Sequence, residues 1–414
     1  MRTGCQAGQL LGVPRVVVLL GVVSLLNDLS GEMVTPLLPL FLVGPLAAPV
    51  LVVGLVEGAA DSATAFLKVW VGHRSDRMRR RKPYVVGGYG LSAAAKPLLA
   101  LSAVWPQALA ARVVDRAGKG IRGAPRDAAI ADAAPKEILG RAFGVHRAFD
   151  TAGAVAGALL ALVLILAFAA GVPTLAEFQT VFLVASIPGA LSIALLVLGL
   201  REPRSVETGE GAAKAPRRAF VASLRSLPPP VRRFIGVSGV FALGNFSLAL
   251  FILRMSQFTS GSLVAGLIAY IAFNIVATVA SIPAGLLADR FGRRPLVVAS
   301  FALFAAACAA FALADSFAFA FGAFLVYGLF FAAWEAGYRA YMAEICPKEL
   351  KATAMGAQGT VIGLVTLPGS AMAGAIWTAT GRPELAFLSG AALAGAALAA
   401  FFTVRPRGAA PAAG

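Results

Sequence analysis

The chain is short of charge: only 14% of its 414 residues are Asp, Glu, Lys or Arg, where soluble globular domains carry about 25%. Together with 59% hydrophobic residues, that shortage excludes an ordinary soluble fold and implies a chain solvated by lipid. Cysteine is scarce as well. Cys5, Cys308 and Cys346 are far apart and form neither a disulfide framework nor a zinc ribbon that can be read from spacing. The two histidines, His73 and His146, make no readable metal cluster. A GxxxxGK[ST] phosphate loop is missing, which argues against ATP as a driver. The alternating ten-residue segments of a transmembrane barrel are missing too. The first apolar run is interrupted by Asn27, Asp28 and Glu32 and lacks a small-residue cleavage site, so it reads as a retained helix.

What remains is an all-α polytopic membrane protein. Apolar segments of spanning length fall at 15–43, 50–72, 84–104, 106–131, 142–170, 178–200, 233–257, 262–288, 296–314, 317–343, 354–379 and 385–404, which predicts twelve transmembrane helices. The 44 glycines suit close helix packing in lipid. A formal net charge of +16 would elsewhere point to nucleic acid. Here the basic residues collect in alternate loops: GHRSDRMRRRKP, the segment around Lys136 and Arg141, residues 201–233, DRFGRR, PKELK, and the tail with Arg405 and Arg407. The opposite loops carry little besides Arg382. Basic loops stay on the cytoplasmic side. The expectation is a multi-pass protein of the cytoplasmic membrane, with both termini inside, lipid as its surroundings and no nucleic-acid partner.

A polar, basic, Pro- and Gly-containing stretch at 201–232 reads as a linker between a six-helix bundle at 1–200 and another at 233–414. The halves look duplicated. Gly72…Asp76-Arg77…Arg80-Arg81 recurs 213 positions later as Gly285…Asp289-Arg290…Arg293-Arg294. Asp132-Ala-Ala-Pro135-Lys136-Glu137 recurs 212 positions later as Glu344-Ile-Cys-Pro347-Lys348-Glu349. Two independent matches at nearly one offset imply a parallel repeat of six helices.

The fourth segment departs from this apolar background. Arg112, Asp115, Arg116, Lys119, Arg122 and Arg126 advance by three or four residues and so share one face of a helix. That stripe runs about 21 Å at ~1.5 Å per residue, most of a hydrocarbon core about 30 Å thick. Ionisable groups at such depth normally face the bundle interior. Asp28 and Glu32, four apart in the first segment beside Asn27, are candidates either for carrying a proton or for pairing with the stripe. Glu57, Asp61 and Lys68 share a face in the second segment and read as a salt-bridged seam. His146 and Asp150 read as a structural pair. The second half offers Asn245, Arg254 and Asn274, then a cluster of Trp334, Glu335, Tyr338, Arg339 and Tyr341. The Glu335–Arg339 pair, with its aromatic neighbours, suits a planar or charged solute, or else neutralises itself. A small excess of basic over acidic groups within the helices leans towards an anionic or zwitterionic solute.

The stretch GLLADRFGRRP resembles the signature loop of the major facilitator superfamily, found between helices two and three and again between eight and nine, and GHRSDRMRRRKP is a degenerate copy. Arg112, Gly118 and Pro125 fall where that superfamily has characteristic residues in its fourth helix. Gly153-Ala-Val-Ala-Gly157-Ala158 is similar to the antiporter signature of helix five, with Ala158 where proline is usual. The resemblance implies two six-helix bundles related by a pseudo-two-fold axis. It further implies a secondary active transporter, not an enzyme, that moves a small-molecule substrate by alternating access. The expected energy source is a proton gradient, with no cofactor, in a monomer that exports its solute by antiport. Helices one, four, seven and ten should line a substrate and proton pathway of Asp28, Glu32, Arg112, Asp115, Arg116, Lys119, Asn245, Glu335, Tyr338 and Arg339. Gly72, Asp76, Arg77 and Arg80 should form a gating latch, with Gly285, Asp289, Arg290 and Arg293 as its counterpart. Arg122, Arg126, Asp127 and Asp132 approach that gate and are expected to pair with Asp76 and its arginines. Two alternatives stay open: an importer of an organic anion or zwitterion, and a polytopic membrane enzyme or lipid-handling protein. The second would need a convergent catalytic set, which the sequence offers poorly.

Overall fold

The computed structural model describes residues 9–10, 12–78, 81–135, 138–168, 173–200, 227–259, 262–347 and 350–404. Helices dominate. A strand pair, β1 (Gln9–Leu10) and β2 (Val13–Pro14), precedes α1 (Arg15–Val34) and α2 (Leu38–Val43). Next come α3 (Val50–Met78), α4 (Lys82–Ala100), α5 (Trp105–Ala133), α6 (Leu139–Phe168) and α7 (Leu175–Gly199). The second half holds α8 (Pro229–Gly244), α9 (Leu248–Gln257), α10 (Leu263–Phe291), α11 (Arg293–Leu313), α12 (Phe317–Ile345), α13 (Lys351–Thr380) and α14 (Pro383–Phe401). Most of the linker read at 201–232 lies outside the described residues.

Among the described residues fourteen helices make twelve crossings, because two spans are broken. In the first span Pro36 cannot supply a backbone N–H, and α1 gives way to α2 across Thr35–Leu37. In the seventh, α8 stops at Gly244 and Ser247 caps the next piece, its hydroxyl accepting from the Ala249 N–H at 3.2 Å. The breaks stand at matching places of the two halves. Neither was legible in the apolar runs at 15–43 and 233–257. Among the described residues ten spans are long and apolar enough to cross a membrane on hydropathy alone. The other two are α4 and α5, whose polar groups are turned on one another.

Within the first half α1 packs on α6 and α7, and α5 lies between α3 and α4; α12, α11 and α14 repeat such packing in the second half. The glycines of the antiporter-like stretch have a packing role here. A Cβ on Gly153 would stand 2.3 Å from the Leu25 carbonyl oxygen, and one on Gly157 would stand 2.4 Å from that of Leu29, so both let α6 lie directly on α1. The second-half core is strongly aromatic. Phe241, Phe251, Phe301, Phe304, Phe311 and Phe324 are all fully buried, with edge-on contacts such as Phe251–Phe311 at 5.1 Å.

The halves meet mainly along α3 and α13 and between α6 and α10. The Leu51 N–H donates to Thr378 Oγ1 at 2.8 Å, and Ser62 Oγ donates to the Gly363 carbonyl at 2.5 Å. Between these points a Cβ on Gly54 would come within 2.2 Å of the Ser370 oxygen, and one on Gly363 within 2.1 Å of Ala65 Cβ. Beyond Ala65, in the direction of the basic loop, Phe66, Lys68, Val69 and Trp70 are exposed. The two bundles therefore close on the side away from the basic loops and part towards them.

Candidate functional site

The polar interior is built on α5. Pro106 stands in its first turn, where a missing N–H costs nothing, and Gly118 permits contact with α4: a Cβ there would lie 2.5 Å from the Gly88 oxygen. The stripe is then met by groups from four helices, α1, α3, α4 and α6. Arg112, 2% exposed, is held by Glu57 of α3, itself 6% exposed, with Nε to Oε1 at 2.8 Å and Nη2 to Oε2 at 3.1 Å. Such a two-pronged pair is among the stronger charge-assisted contacts. Arg112 Nη1 reaches Asp115 Oδ2 at 3.5 Å, and Lys96 Nζ of α4 donates to Asp115 Oδ1 at 2.5 Å. Glu57, Arg112, Asp115 and Lys96 thus form a closed, electrically neutral chain. Arg112 and Asp115 are held by it while also lining the cleft between α1 and α5.

One turn on, the pattern changes again. Arg122 Nη1 donates to Ser92 Oγ at 2.6 Å and its guanidinium lies 4.5 Å above the Tyr89 ring. Arg126 donates to Asp127 Oδ1 at 2.9 Å and to Ser24 Oγ at 3.1 Å, and approaches Asp150 at 3.9 Å. His146 Nδ1 lies 3.6 Å from Asp150, the pairing its spacing predicts. Arg122 and Arg126 are therefore engaged within the first bundle by α1, α4 and α6. The side chains of Asp76 and Arg77 lie outside the described residues.

Asp28 and Glu32 on α1 and Arg116 and Lys119 on α5 are charged groups without an ion pair within 4 Å among the described residues. They line one narrow cleft together with Asn27, Gly31, Thr35, Lys96, Arg112, Asp115 and Arg122, with a cavity volume of about 20 Å³. The expected ion pair between the α1 carboxylates and the stripe does not form; the two rows face each other across this space. Arg116 Nε and Asn27 Oδ1 are buried without hydrogen-bond partners among the described residues. Glu32 has one partner from the other half, the Tyr270 hydroxyl of α10, which donates to Glu32 Oε2. Tyr270 was missed in the sequence because it sits in a wholly apolar run. Its only signal is Asn274 one turn later, whose Nδ2 donates to the Tyr270 carbonyl at 3.0 Å.

Asn245, Glu335, Tyr338 and Arg339 do not line this cleft. Asn245 ends α8 at the helix break, its N–H bonded to the Phe241 carbonyl at 2.8 Å. Glu335 and Arg339 pair with each other at 3.3 Å, and Arg339 donates to the Tyr338 hydroxyl at 2.6 Å. Tyr338 stacks on Trp334 with ring centroids 4.6 Å apart. Arg339 is 59% exposed, and the cluster lies in the half of α12 nearer the basic loops. Asp61 forms no ion pair within 4 Å among the described residues.

The signature loops show their duplication in three dimensions. Arg81 reaches Asp132 at 3.5 Å, and Arg293 reaches Glu344 at 3.6 Å; Asp132 and Glu344 are equivalent positions of the repeat. Gly292, at φ +89°, supplies the left-handed turn between α10 and α11. Gly72 packs on α5, a Cβ there standing 3.1 Å from Ala124, while Gly285 has open space. Arg290 lies over the Phe291 ring at 5.2 Å. Arg80 and the side chain of Asp289 lie outside the described residues. Both ion pairs are solvent-exposed and worth under about 1 kcal/mol each. Asp132→Asn and Glu344→Gln, alone or together, are accordingly expected to leave the thermal midpoint nearly unchanged in a detergent melt. A drop of many degrees would show that these pairs hold the fold.

Comparisons with known proteins agree with this geometry. The family model for the Major Facilitator Superfamily matches residues 20–271 and 234–414. The chain is 35% identical over 383 residues, 91% of this chain and 92% of the other, to a protein of Methanocaldococcus jannaschii named as an uncharacterized MFS-type transporter. Among solved structures it is similar to the nucleoside transporter NupG, with TM-score 0.77 and 14% identity over 94% of this chain and 99% of that one. It is also similar to a bacterial homologue of the human lysosomal transporter Spinster in an inward-facing, unoccupied conformation, with TM-score 0.72 and 16% identity over 94% of each chain. Repeat, helix breaks, signature turn and sequence match converge, and the chain belongs to the major facilitator superfamily.

Proposed function

We propose that the protein is a proton-coupled secondary transporter that exports a small solute from the cytoplasm by alternating access. Positive-inside loops would place the basic side, and hence the open mouth, in the cytoplasm. The observation that carries the reading is Glu32: a cavity carboxylate on α1 that accepts a hydrogen bond from Tyr270 on the opposite bundle. A bond to a carboxylate is charge-assisted, so a proton on Glu32 weakens the bridge and favours the arrangement in which α1 and α10 have moved apart. Proton binding and the position of the bundles are thereby linked, and each biases the other. Similarity of Gly153–Gly157 to the antiporter signature supports exchange of solute for protons. The sign of the flux separates this from import of an organic anion or zwitterion.

The test begins with a sensitivity screen of cells with and without the protein, followed by flux of the hit in proteoliposomes. Glu32→Gln should abolish accumulation driven by a pH gradient while sparing solute exchange at equal pH. Tyr270→Phe, which keeps the carboxylate and removes the donor, should weaken coupling without removing it. Unaltered gradient-driven accumulation in Glu32→Gln would contradict the proposal. Product formation from the hit would favour an enzyme instead.

A further inference from the structure

The cleft is dipolar, and its two walls are built differently. On the α5 wall Arg116 and Lys119, three residues apart and so on one face, point cationic groups into the space without a carboxylate within 4 Å, and Arg116 Nε is a buried donor with no acceptor among the described residues. On the α1 wall stand Asp28 and Glu32, one helical turn apart, with Asn27 beside them, whose Oδ1 is a buried acceptor with no donor and whose residue is only 3% exposed. The neighbouring charges are already satisfied: Lys96, Arg112, Asp115 and Glu57 by one another, Arg122 by Ser92 and the Tyr89 ring. Native interiors rarely leave a buried polar atom unpaired, because each costs about 1–3 kcal/mol. Here one unmet donor and one unmet acceptor fall on opposite walls, each beside unpaired charge of matching use.

We infer that the solute is a zwitterion whose anionic group binds Arg116 and Lys119 and whose ammonium group binds Asn27 and Asp28. A simple anion would satisfy Arg116 Nε and meet repulsion from Asp28 and Glu32. A simple amine would do the reverse. A molecule with both ends fills both needs and adds no net charge to a low-dielectric space, where an uncompensated charge is expensive. Glu32, already bonded to Tyr270, stays available for the proton. The inference rests on the transporter reading for its meaning but not for its test, since binding is measured without flux.

The same chemistry is offered by a free solute and by a zwitterionic lipid headgroup, and the test includes both. Binding to the purified full-length protein in nanodiscs is read by tryptophan fluorescence and by thermal shift. The probes are glycine, 4-aminobutyrate and 6-aminohexanoate, each beside the carboxylate and the amine of the same carbon number, then glycerophosphoethanolamine beside lysophosphatidylethanolamine. At least one zwitterion should bind about tenfold tighter than both of its singly charged counterparts. Lys119→Gln should weaken that zwitterion and leave the amine unchanged. Asn27→Ala should weaken it and leave the carboxylate unchanged, and the two variants should melt close to the parent. A preference for glycerophosphoethanolamine over its lyso-lipid identifies a free solute, and the reverse identifies a lipid headgroup. The inference is overturned if a carboxylate or an amine binds as tightly as its zwitterion, or if no zwitterion binds. Tight zwitterion binding without counterflow in vesicles would instead remove the transporter reading and leave the binding site standing.

Discussion

Replacing Arg112 with methionine is expected to lower folding stability by about 3–5 kcal/mol, the usual penalty for stripping one partner from a buried ion pair. The reason is what it leaves behind. Glu57 would keep its negative charge at a site where it is 6% exposed, with no Nε and Nη2 at 2.8 and 3.1 Å to hold it, and Asp115 would lose one of its two cations. The readout is the thermal midpoint and the monodisperse fraction in detergent. The companion variant Glu57→Leu/Arg112→Met removes both charges together and should regain most of the loss, because apolar replacement of a whole buried pair is often neutral. A double variant no more stable than Arg112→Met would show that Arg112 serves the fold through some other contact. If the single variant melts like the parent and loses binding alone, Arg112 belongs to the solute site after all.

Adding one methyl group to Gly363 is expected to have the largest effect on the conformational equilibrium. The new Cβ would stand 2.1 Å from Ala65 Cβ, well inside van der Waals contact, at the point where α13 crosses α3 between the halves. Overpacking of this kind costs about 1–3 kcal/mol, and 3 kcal/mol moves a two-state equilibrium more than 100-fold. Gly363→Ala should therefore depopulate the arrangement open towards the basic loops and slow any cycle through it. Ala65→Gly in the same chain should restore it, since the clash is between two methyl groups. Gly356→Ala and Gly359→Ala serve as controls, as a Cβ at either meets nothing within 4 Å. Accessibility of a cysteine at 119 to a membrane-impermeant maleimide measures the shift. Equal labelling in Gly363→Ala and the controls would contradict the helix contact.

Legibility in the sequence followed distance along the chain. The repeat, the twelve crossings and the stripe on α5 could be read because each depends on spacing within a segment or on one constant offset. Glu57 was placed in a salt-bridged seam, and its partner proved to be Arg112, because a carboxylate at that depth must find a cation and α5 carries most of them. The sorting of the stripe could not be read. Arg112 and Arg116 differ by one turn and have the same surroundings in sequence, yet Arg112 meets Glu57 and Arg116 faces the narrow cleft, a difference set by how α3 lies on α5. Tyr270 and Glu32 are 238 residues apart and touch only because the bundles meet. Gly54 and Gly363 could not be told from 42 other glycines until the helices they separate were seen to cross.

The coupling claim rests on Glu32 and can be tested before any solute is known. In a chain whose three cysteines are replaced by serine, Lys119→Cys reports opening towards the basic loops through its rate of maleimide labelling. That rate is normalised to a fully exposed cysteine, which cancels the pH dependence of the thiol itself. Acidification should slow labelling when Glu32 is present, because protonation weakens the Tyr270 bridge and depopulates the open arrangement. In Glu32→Gln the normalised rate should no longer depend on pH. An identical pH response in both chains would contradict the coupling of Glu32 to the movement of the bundles.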